Sequence, residues 1–594
     1  MRAADRAPKP ARGEVLSLNV LAAHQAETAQ SLSASGVLVR HFLDRFFGSE
    51  FASAAGDAKT HLLLALCVIG LPPFVLSLYL YPVYHLPLHE VRSFWQQAGD
   101  RYFFVLYTTV AMGVVAIFEW DLLFPDLLDV FVLSSLPVTS TRLLLARVTA
   151  IVLLVGAAIL ASSFLPPVVL PAATDPAHLF RFLAAHCAAV ACSGIFSATL
   201  ILALEAILLA LLGDRWFLRI SLWIQASAVV LLLSCLFLYP VVYAALPQLI
   251  LSRRPAVLWF PPFWFLGLYQ RILGGAAASP VFAALARTGL LATCATTVLA
   301  VVFYPLAWWR RTAALITGAA RRERARRVSV PIHRTVHASL ARRPAARAVW
   351  HFIGQNLLRV PRYRMVLVLY GGAGVALILA AALRIIVRQG GIVFTISPQG
   401  VRAIVPIAAF WTVSGLRSTF LAPADQRGRW IFRAVQGKPA WPHMQAARRW
   451  VLVSTCLLTL ALAAAASCAA SPHSWPFALV QAFIAVSLSL LLTDSFFLTM
   501  TTIPFTGSQS GSATNLALLM IPYLGFFPAI VLFSMAAEPW LEANPGHLAL
   551  AATGVVAAHL CLLRTHKTRI RQRLQQIEVD EDEEEFPLRL GLRY

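Results

Sequence analysis

Roughly twelve apolar stretches, each long enough to cross a membrane, constrain the fold of this chain more than any other feature. Because hydrocarbon offers the backbone no hydrogen bonds, such a stretch crosses as a helix. The sequence therefore predicts an all-α polytopic membrane protein, in agreement with a composition of 59% hydrophobic and 13% charged residues. The stretches lie near residues 61–83, 102–120, 143–170, 180–212, 217–249, 282–309, 363–387, 402–420, 450–470, 477–502, 513–537 and 546–564.

The second half of the chain repeats the first at a constant offset. Pro439 minus Pro137 and Arg449 minus Arg147 both give 302, and the first apolar stretches of the two halves keep this spacing. Six spans return a chain to its starting side, so we predict two parallel six-helix repeats. The predicted divisions are a polar tail (1–35), a first repeat (36–310), a basic linker (311–347), a second repeat (348–565) and a charged tail (566–594).

Each predicted repeat begins with an amphipathic segment. The residues from Val37 to Phe51 alternate apolar and charged side chains at helical spacing, and those from Ala348 to Val360 form a similar segment before the seventh span. Short helices of this kind lie at the membrane surface. We therefore expect an interfacial helix in front of each set of six spans.

The basic residues are concentrated on one side of the predicted protein. The net charge is +22, and about 39 of the 49 lysines and arginines fall on the side that carries both termini. By the positive-inside rule, both termini are cytoplasmic. The linker from Arg321 to Arg347 is almost purely basic, which is typical of segments attracted to anionic lipid head groups. The expected partner of this charge is the bilayer, not nucleic acid.

The stretch from Glu119 to Arg147 lies between two spans but is too short and too charged to be one. Its apolar residues recur at helical spacing at Phe124, Leu127, Leu128 and Phe131. We predict a surface helix that offers Asp126 and Asp129 to water or to a partner protein. Pro137 would end that helix, and Thr139, Ser140 or Thr141 could cap the next one, which carries Arg147 near its start.

The corresponding stretch of the second half is basic. Arg429 and Arg433 share one side of a predicted helix, and Pro439 and Arg449 occupy the positions of Pro137 and Arg147. The two surface helices therefore differ in charge, which predicts oppositely charged docking surfaces on whatever binds them.

Two carboxylates fall inside predicted spans, Glu205 in the fourth and Asp494 in the tenth. A charge in hydrocarbon is costly, so such residues face a bundle interior or an aqueous path. Two interpretations stay open: the acids handle a substrate or protons, or they are paired or neutral groups that support helix packing.

The plan of spans, together with the sequence SSLPVTSTRLLLAR, resembles the permease subunits of ATP-binding-cassette exporters of the drug and polysaccharide export class. The resemblance covers roughly residues 40–310 and 345–565. In the second half only Pro439 and Arg449 match, with Lys438 where the family has Leu. The matching residues of the first half are Leu136, Pro137, Val138, Thr139 and Arg147.

The resemblance implies a bacterial plasma-membrane permease in which two six-span subunits are fused. The surface helices would be coupling helices that fit grooves on two separate cassette-type ATPase subunits. ATP and magnesium would be bound by those partners, and this chain would bind no cofactor and catalyse no reaction. Consistent with this, the chain contains no GxxxxGK[ST] nucleotide loop. The charge difference between the coupling helices favours a heterodimeric ATPase, or a homodimer that docks through apolar contacts.

Two other classes of protein remain as alternatives. A proton- or ion-coupled secondary transporter would use Glu205 and Asp494 and need no ATPase. A membrane-embedded enzyme acting on lipid would need a convergent polar site, and Arg92 and Asp100 belong to the densest external group.

Overall fold

The prediction of an all-α polytopic membrane protein is confirmed. The structure is a computed structural model, and its described residues contain twelve helical segments that are long and apolar enough to cross a membrane, two of them within one long helix. The only strands among the described residues form a two-stranded antiparallel hairpin that pairs Leu383 with Ile396. The structure describes residues 34–48, 58–85, 92–125, 127–134, 138–164, 166, 168–169, 178–252, 254–275, 279–316, 344–388, 391–421, 441–470, 475–498, 500, 504–505 and 513–581.

Along the chain, long helices that could span a membrane are separated by short helices and one hairpin. The first half contains α1 (Ala34–Gly48), α2 (Ala58–His85), α3 (Phe94–Phe118), α4 (Trp120–Leu123), α5 (Leu127–Ser134), α6 (Ser140–Ser162), α7 (Leu179–Phe237), α8 (Tyr239–Leu251), α9 (Pro255–Leu258), α10 (Pro261–Gly274) and α11 (Pro280–Ile316). The second half contains α12 (Pro344–Arg359), α13 (Pro361–Ala382), β1 (Leu383–Arg388), β2 (Gly391–Ile396), α14 (Pro398–Leu421), α15 (Trp441–Ala470), α16 (Trp475–Phe497), α17 (Ala513–Ala543) and α18 (Pro545–Glu581).

Helix α7 contains two spans and reverses direction between them. Ser197 and Leu232 both lie against Gly113 of α3. A straight helix would separate these two residues by about 50 Å, because the rise is about 1.5 Å per residue. The chain therefore turns back between the spans Leu179–Leu212 and Ile220–Phe237.

Helix α10 lies inside the first half rather than at its surface. The sequence, with Pro261 and Pro262 amid aromatic residues, is typical of short helices at a membrane interface. Instead, Phe265, Leu266 and Tyr269 are fully buried against α3, α7 and α11. The two prolines begin the helix, where a missing N–H has no cost. The aromatic residues are core residues of the bundle.

The two amphipathic segments form helices that pack in corresponding ways. Helix α1 packs on α6, the third span of the first half, and α12 packs on α15, the third span of the second half. Both surface segments thus precede a first span and contact a third span. This correspondence is what a duplicated six-span unit would give, although the duplication itself stays a prediction.

The halves contact each other through α13 and the second span of α7. Gly372 of α13 lies against Val229 and Val230, and Met365 joins the same apolar cluster as Val229. Strand β1 also packs on α8. The first span of the second half is therefore part of the packing of the first half.

A close backbone approach fixes the start of α14. A Cβ at Gly400 would overlap the carbonyl oxygen of Ala381, and no flexible side chain stands there to move aside. We expect Gly400→Ala to destabilise the protein by ~1–3 kcal/mol, as overpacking does. Gly371→Ala is the matched control, because nothing lies within 4 Å of its Cβ position. Thermal unfolding midpoints in detergent test this, and equal midpoints for the two variants would contradict it.

Candidate functional site

Arg147 is the centre of a cluster that joins five helices. It is the eighth residue of α6 and only 1% exposed. Its Nη1 donates to Oδ2 of Asp129 at 3.0 Å, and its Nη2 donates to the carbonyl oxygens of Leu122 and Phe124, the latter at 3.1 Å. A span is thereby joined to α4, to α5 and to Phe124 and Pro125, the described residues between them, which together we call the corner segment.

Helix α1 is held by the same cluster. Arg45 of α1 forms an ion pair with the other carboxylate oxygen of Asp129. The guanidinium of Arg147 also lies over the ring of Phe42 on α1, 5.0 Å from its centroid, and 5.6 Å from the centroid of Trp308 on α11. A buried ion pair is stable only when further groups satisfy both charges, and these contacts do so.

The last span of the first half also holds the corner segment, and it does so through backbone oxygens. The Tyr304 hydroxyl donates to the Leu123 carbonyl at 2.6 Å, and Nε of Arg311 donates to the Pro125 carbonyl at 3.1 Å. The carbonyls at the end of a short helix have no partner within it, so these bonds satisfy groups that would otherwise be costly to bury. The corner segment is attached to α1, α6 and α11 together.

The outer face of α5 is apolar, which is the reverse of the sequence-based prediction. Phe131 and Val132 are 65% and 54% exposed, whereas Asp129 is 6% exposed. The helical spacing breaks at Phe124 and Pro125, which lie between α4 and α5. The prediction that Phe124 and Phe131 share one face, with Asp129 offered to water, is therefore wrong.

The rest of the motif that carries the family resemblance is only partly described. Thr139 stands at the position before α6 and is exposed, but its side chain makes no capping hydrogen bond. Val138 is half-buried. The predicted site residues outside the described residues are Asp126, Leu136, Pro137, Arg429, Arg433 and Pro439.

In the second half the buried arginine is Arg448, and the predicted Arg449 is exposed. Arg448 is the eighth residue of α15, as Arg147 is of α6. Arg448 minus Arg147 gives 301, so a match between these two arginines would require an offset of 301 positions in place of the predicted 302. Arg448 and Arg449 are adjacent in the sequence, so either of them could have been matched with Arg147.

The partner of Arg448 is Asp494, which the sequence singled out for another reason. Nε of Arg448 donates to Oδ1 of Asp494 at 2.6 Å, and Nδ1 of His559 contacts Oδ2 at 2.6 Å. The residues come from α15, α16 and α18 and hold these spans together. This geometry favours the interpretation of Asp494 as a paired acid that supports packing.

Glu205 belongs to the Arg147 region. Its side chain is buried, and it lies near enough to the Tyr304 hydroxyl to interact with it electrostatically. The structure therefore places Glu205 beside the cluster that holds the corner segment. It does not bring Glu205 and Asp494 together.

The external group considered for an enzyme is also an ion-pair cluster. Asp100 accepts from Nη1 of Arg92 at 2.5 Å and from the Tyr84 hydroxyl at 2.7 Å. These contacts join α2 to α3. Within the described part of the chain, no group of three or more His, Cys, Asp or Glu residues could hold a metal ion.

No family model, curated protein or solved structure matches the chain. The fold and the contacts described above show a polytopic helical membrane protein. A proposal about its function rests on the geometry of the site.

The role of Arg147 predicts a large difference between two nearby arginines. Arg147→Gln should destabilise the protein by ~3–5 kcal/mol, because it leaves Asp129 and several carbonyls of the corner segment without their buried donor. Arg142→Gln, at an exposed position of the same helix, should stay within ~0.5 kcal/mol of wild type. Chemical unfolding in detergent measures both, and similar losses would show that Arg147 is not a structural anchor.

Glu119, which ends α3 next to the corner segment, predicts a dependence on pH. Burial raises the pKa of this carboxyl from its ordinary 4.5 to about 8. The folded state therefore keeps a proton that the unfolded state releases, and stability falls as pH rises between these values. Glu119→Gln should match wild type near the lower value and become progressively more stable than wild type toward the upper one. Thermal midpoints measured across this range test it, and a constant difference would contradict it.

Proposed function

We propose that this protein is the membrane-spanning permease of an ATP-driven exporter, with both six-span halves in one chain. Separate cassette-type ATPase subunits would bind ATP and magnesium, and the chain itself would catalyse no reaction. The observation that carries the proposal is the corner segment. It is a short surface element joined rigidly to α1, α6 and α11, with an exposed apolar outer face.

The attachment of the corner segment suits the transmission of force. A partner that pushes on Phe131 and Val132 would move α5, and the Asp129–Arg147 and Asp129–Arg45 pairs would carry that movement to α6 and α1. Packed helices joined in this way shift as rigid bodies rather than deform. Closing of an ATPase dimer could therefore tilt the first half against the second.

The first docking site would be apolar rather than acidic. Asp129 is already paired inside the protein, so it has no charge to offer a partner. The exposed pair Phe131 and Val132 fits the apolar-docking alternative that a homodimeric ATPase would allow. The basic segment of the second half, with Arg429 and Arg433, lies outside the described residues, and its docking role stays a prediction.

The distribution of charge supports an orientation. The basic excess lies on the side of both termini, which the positive-inside rule makes cytoplasmic. The corner segment lies against α1, the N-terminal described helix, and so it would face the cytoplasm with it. By resemblance, the membrane would be the bacterial plasma membrane.

A proton-coupled secondary transporter is the second candidate. The observation in its favour is the contact between Asp494 and His559, since a carboxylate and an imidazole inside a bundle can exchange a proton. Arg448 on the same carboxylate weakens this candidate, because the contacts of Asp494 with Arg448 and His559 join three spans as a structural cluster. Transport by the purified chain alone, driven by a proton gradient, would favour it over the exporter.

The proposal predicts which exposed side chain a cassette ATPase needs. Phe131→Ser should weaken binding of the ATPase by about tenfold or more, because truncating a central apolar contact is costly at an interface. Val37→Ser is the matched control, at an exposed apolar position of α1. The measurement is affinity of the purified chain for a cassette ATPase from its own genome, followed by ATP-dependent transport in vesicles. No ATPase binding, or equal effects of both variants, would overturn the proposal.

A further inference from the structure

Arg101 is a second buried arginine of the first half, far from the corner segment. It lies in the second turn of α3 and is 8% exposed. The end of α3 that leads to the corner segment is 17 residues away, which corresponds to about 25 Å of helix. Arg101 therefore lies toward the opposite end of the bundle.

The described groups that contact Arg101 are all uncharged. Nη1 donates to Oε1 of Gln270 at 3.3 Å, and Nη2 donates to Oε1 of Gln97 at 3.0 Å. The guanidinium also lies 5.4 Å from the ring centroid of Phe182 and 5.7 Å from that of Tyr269. Aromatic rings and amides stabilise a cation only in part, and a buried charge normally has a counter-ion.

The nearest acid in the sequence is already engaged. Asp100 pairs with Arg92 at 2.5 Å and accepts from the Tyr84 hydroxyl at 2.7 Å. No carboxylate of the described residues forms an ion pair with Arg101. Among Arg92, Asp100 and Arg101, the positive charges therefore outnumber the negative charges by one.

One buried donor group beside Arg101 has no hydrogen-bond partner among the described residues. Because arginine can only donate, Gln270 must present its oxygen to it, which places the Nε2 donor on the other side of the amide. That Nε2 is buried, within a residue that is 4% exposed, and it has no partner among the described residues. A buried donor without an acceptor is costly. A guanidinium and an amide N–H together match the oxygens of an anion.

The second half contains an arginine at the corresponding position with its own counter-ions. Arg402 minus Arg101 gives 301, the offset that also relates the two buried arginines at the other end. Arg402 pairs with Glu538 at 3.0 Å and with Glu542 at 3.1 Å, and it lies over the ring of Phe477. The halves thus share an arginine near an aromatic ring, and only the second shows carboxylates on it.

We propose that Arg101 and Gln270 form a binding site for one anionic group, a phosphate or a carboxylate, at the end of the first half opposite the corner segment. The ligand oxygen would take the place that Glu538 and Glu542 take on Arg402. Arg181 and Arg271, exposed beside Phe182 and Gln270, would attract an anion to the site. The group could belong to a lipid head group or to a free ion. The site needs no ATPase, so it stands independently of the proposed function.

Two variants test the proposal, because each gives the arginine of one half the kind of surroundings that the arginine of the other half has. Gln270→Glu gives Arg101 an internal carboxylate of nearly the same shape and should expel the anion. The double variant E538Q/E542Q removes the counter-ions of Arg402 and should create a second site. The full chain is purified in a neutral detergent, and native mass spectrometry counts the bound anions. The probes are short-chain phosphatidylglycerol, phosphatidylcholine with the same acyl chains, and inorganic phosphate at constant ionic strength.

The expected result is one tightly bound anionic probe on wild type, about tenfold or more weaker binding to Gln270→Glu, and two bound probes on E538Q/E542Q. Binding of phosphatidylglycerol alone identifies a lipid head group, and binding of inorganic phosphate identifies a free ion. If Gln270→Glu does not elute as a single species, Gln270→Met, which removes the donor without adding charge, should show the same loss. Binding of neither anionic probe to wild type, or unchanged binding to the Gln270 variant, overturns the proposal, as does the absence of a second probe on the double variant.

Discussion

The cost of a charge inside a membrane bundle governs the architecture of this protein. Arg147 is almost fully buried, so Asp129, two carbonyl oxygens and two aromatic rings converge on it from other elements, and Arg45 pairs with the other oxygen of Asp129. Each of these contacts fixes the depth and rotation of one helix relative to α6. Apolar packing alone would leave such helices free to slide, because lipid and leucine are about equally apolar. The Asp129–Arg147 ion pair sets the position of these helices relative to α6, and the surrounding apolar residues supply the packing.

Arginines that lie 301 positions apart in the two halves are paired with different acids. Arg147 is paired with an acid of the corner segment, and Arg448 is paired with an acid of a neighbouring span. Arg402 has two carboxylates from α17, whereas the described contacts of Arg101 are to amides and rings. If one unit was duplicated, the cations persisted while their counter-ions were replaced.

Much of the fold could be predicted from the sequence, because a long apolar run is a local property. The twelve spans and the amphipathic helices α1 and α12 follow from composition and spacing alone. The direction of Asp129 could not be predicted, since it depends on a break at Phe124 and Pro125 and on Arg45, which lies far earlier in the chain. The burial of α10 was missed because an aromatic helix has the same composition at an interface and in a core.

Many of the hydrogen bonds that hold the corner segment are made to its backbone carbonyl oxygens. Arg147, Tyr304 and Arg311 bind the carbonyl oxygens of four successive residues, Leu122 to Pro125, and every amino acid supplies that oxygen. Side chains of the segment that face outward can therefore be exchanged while its attachment remains intact. Substitution of a few exposed residues could therefore change which partner binds the segment, while the helices attached to it stay the same.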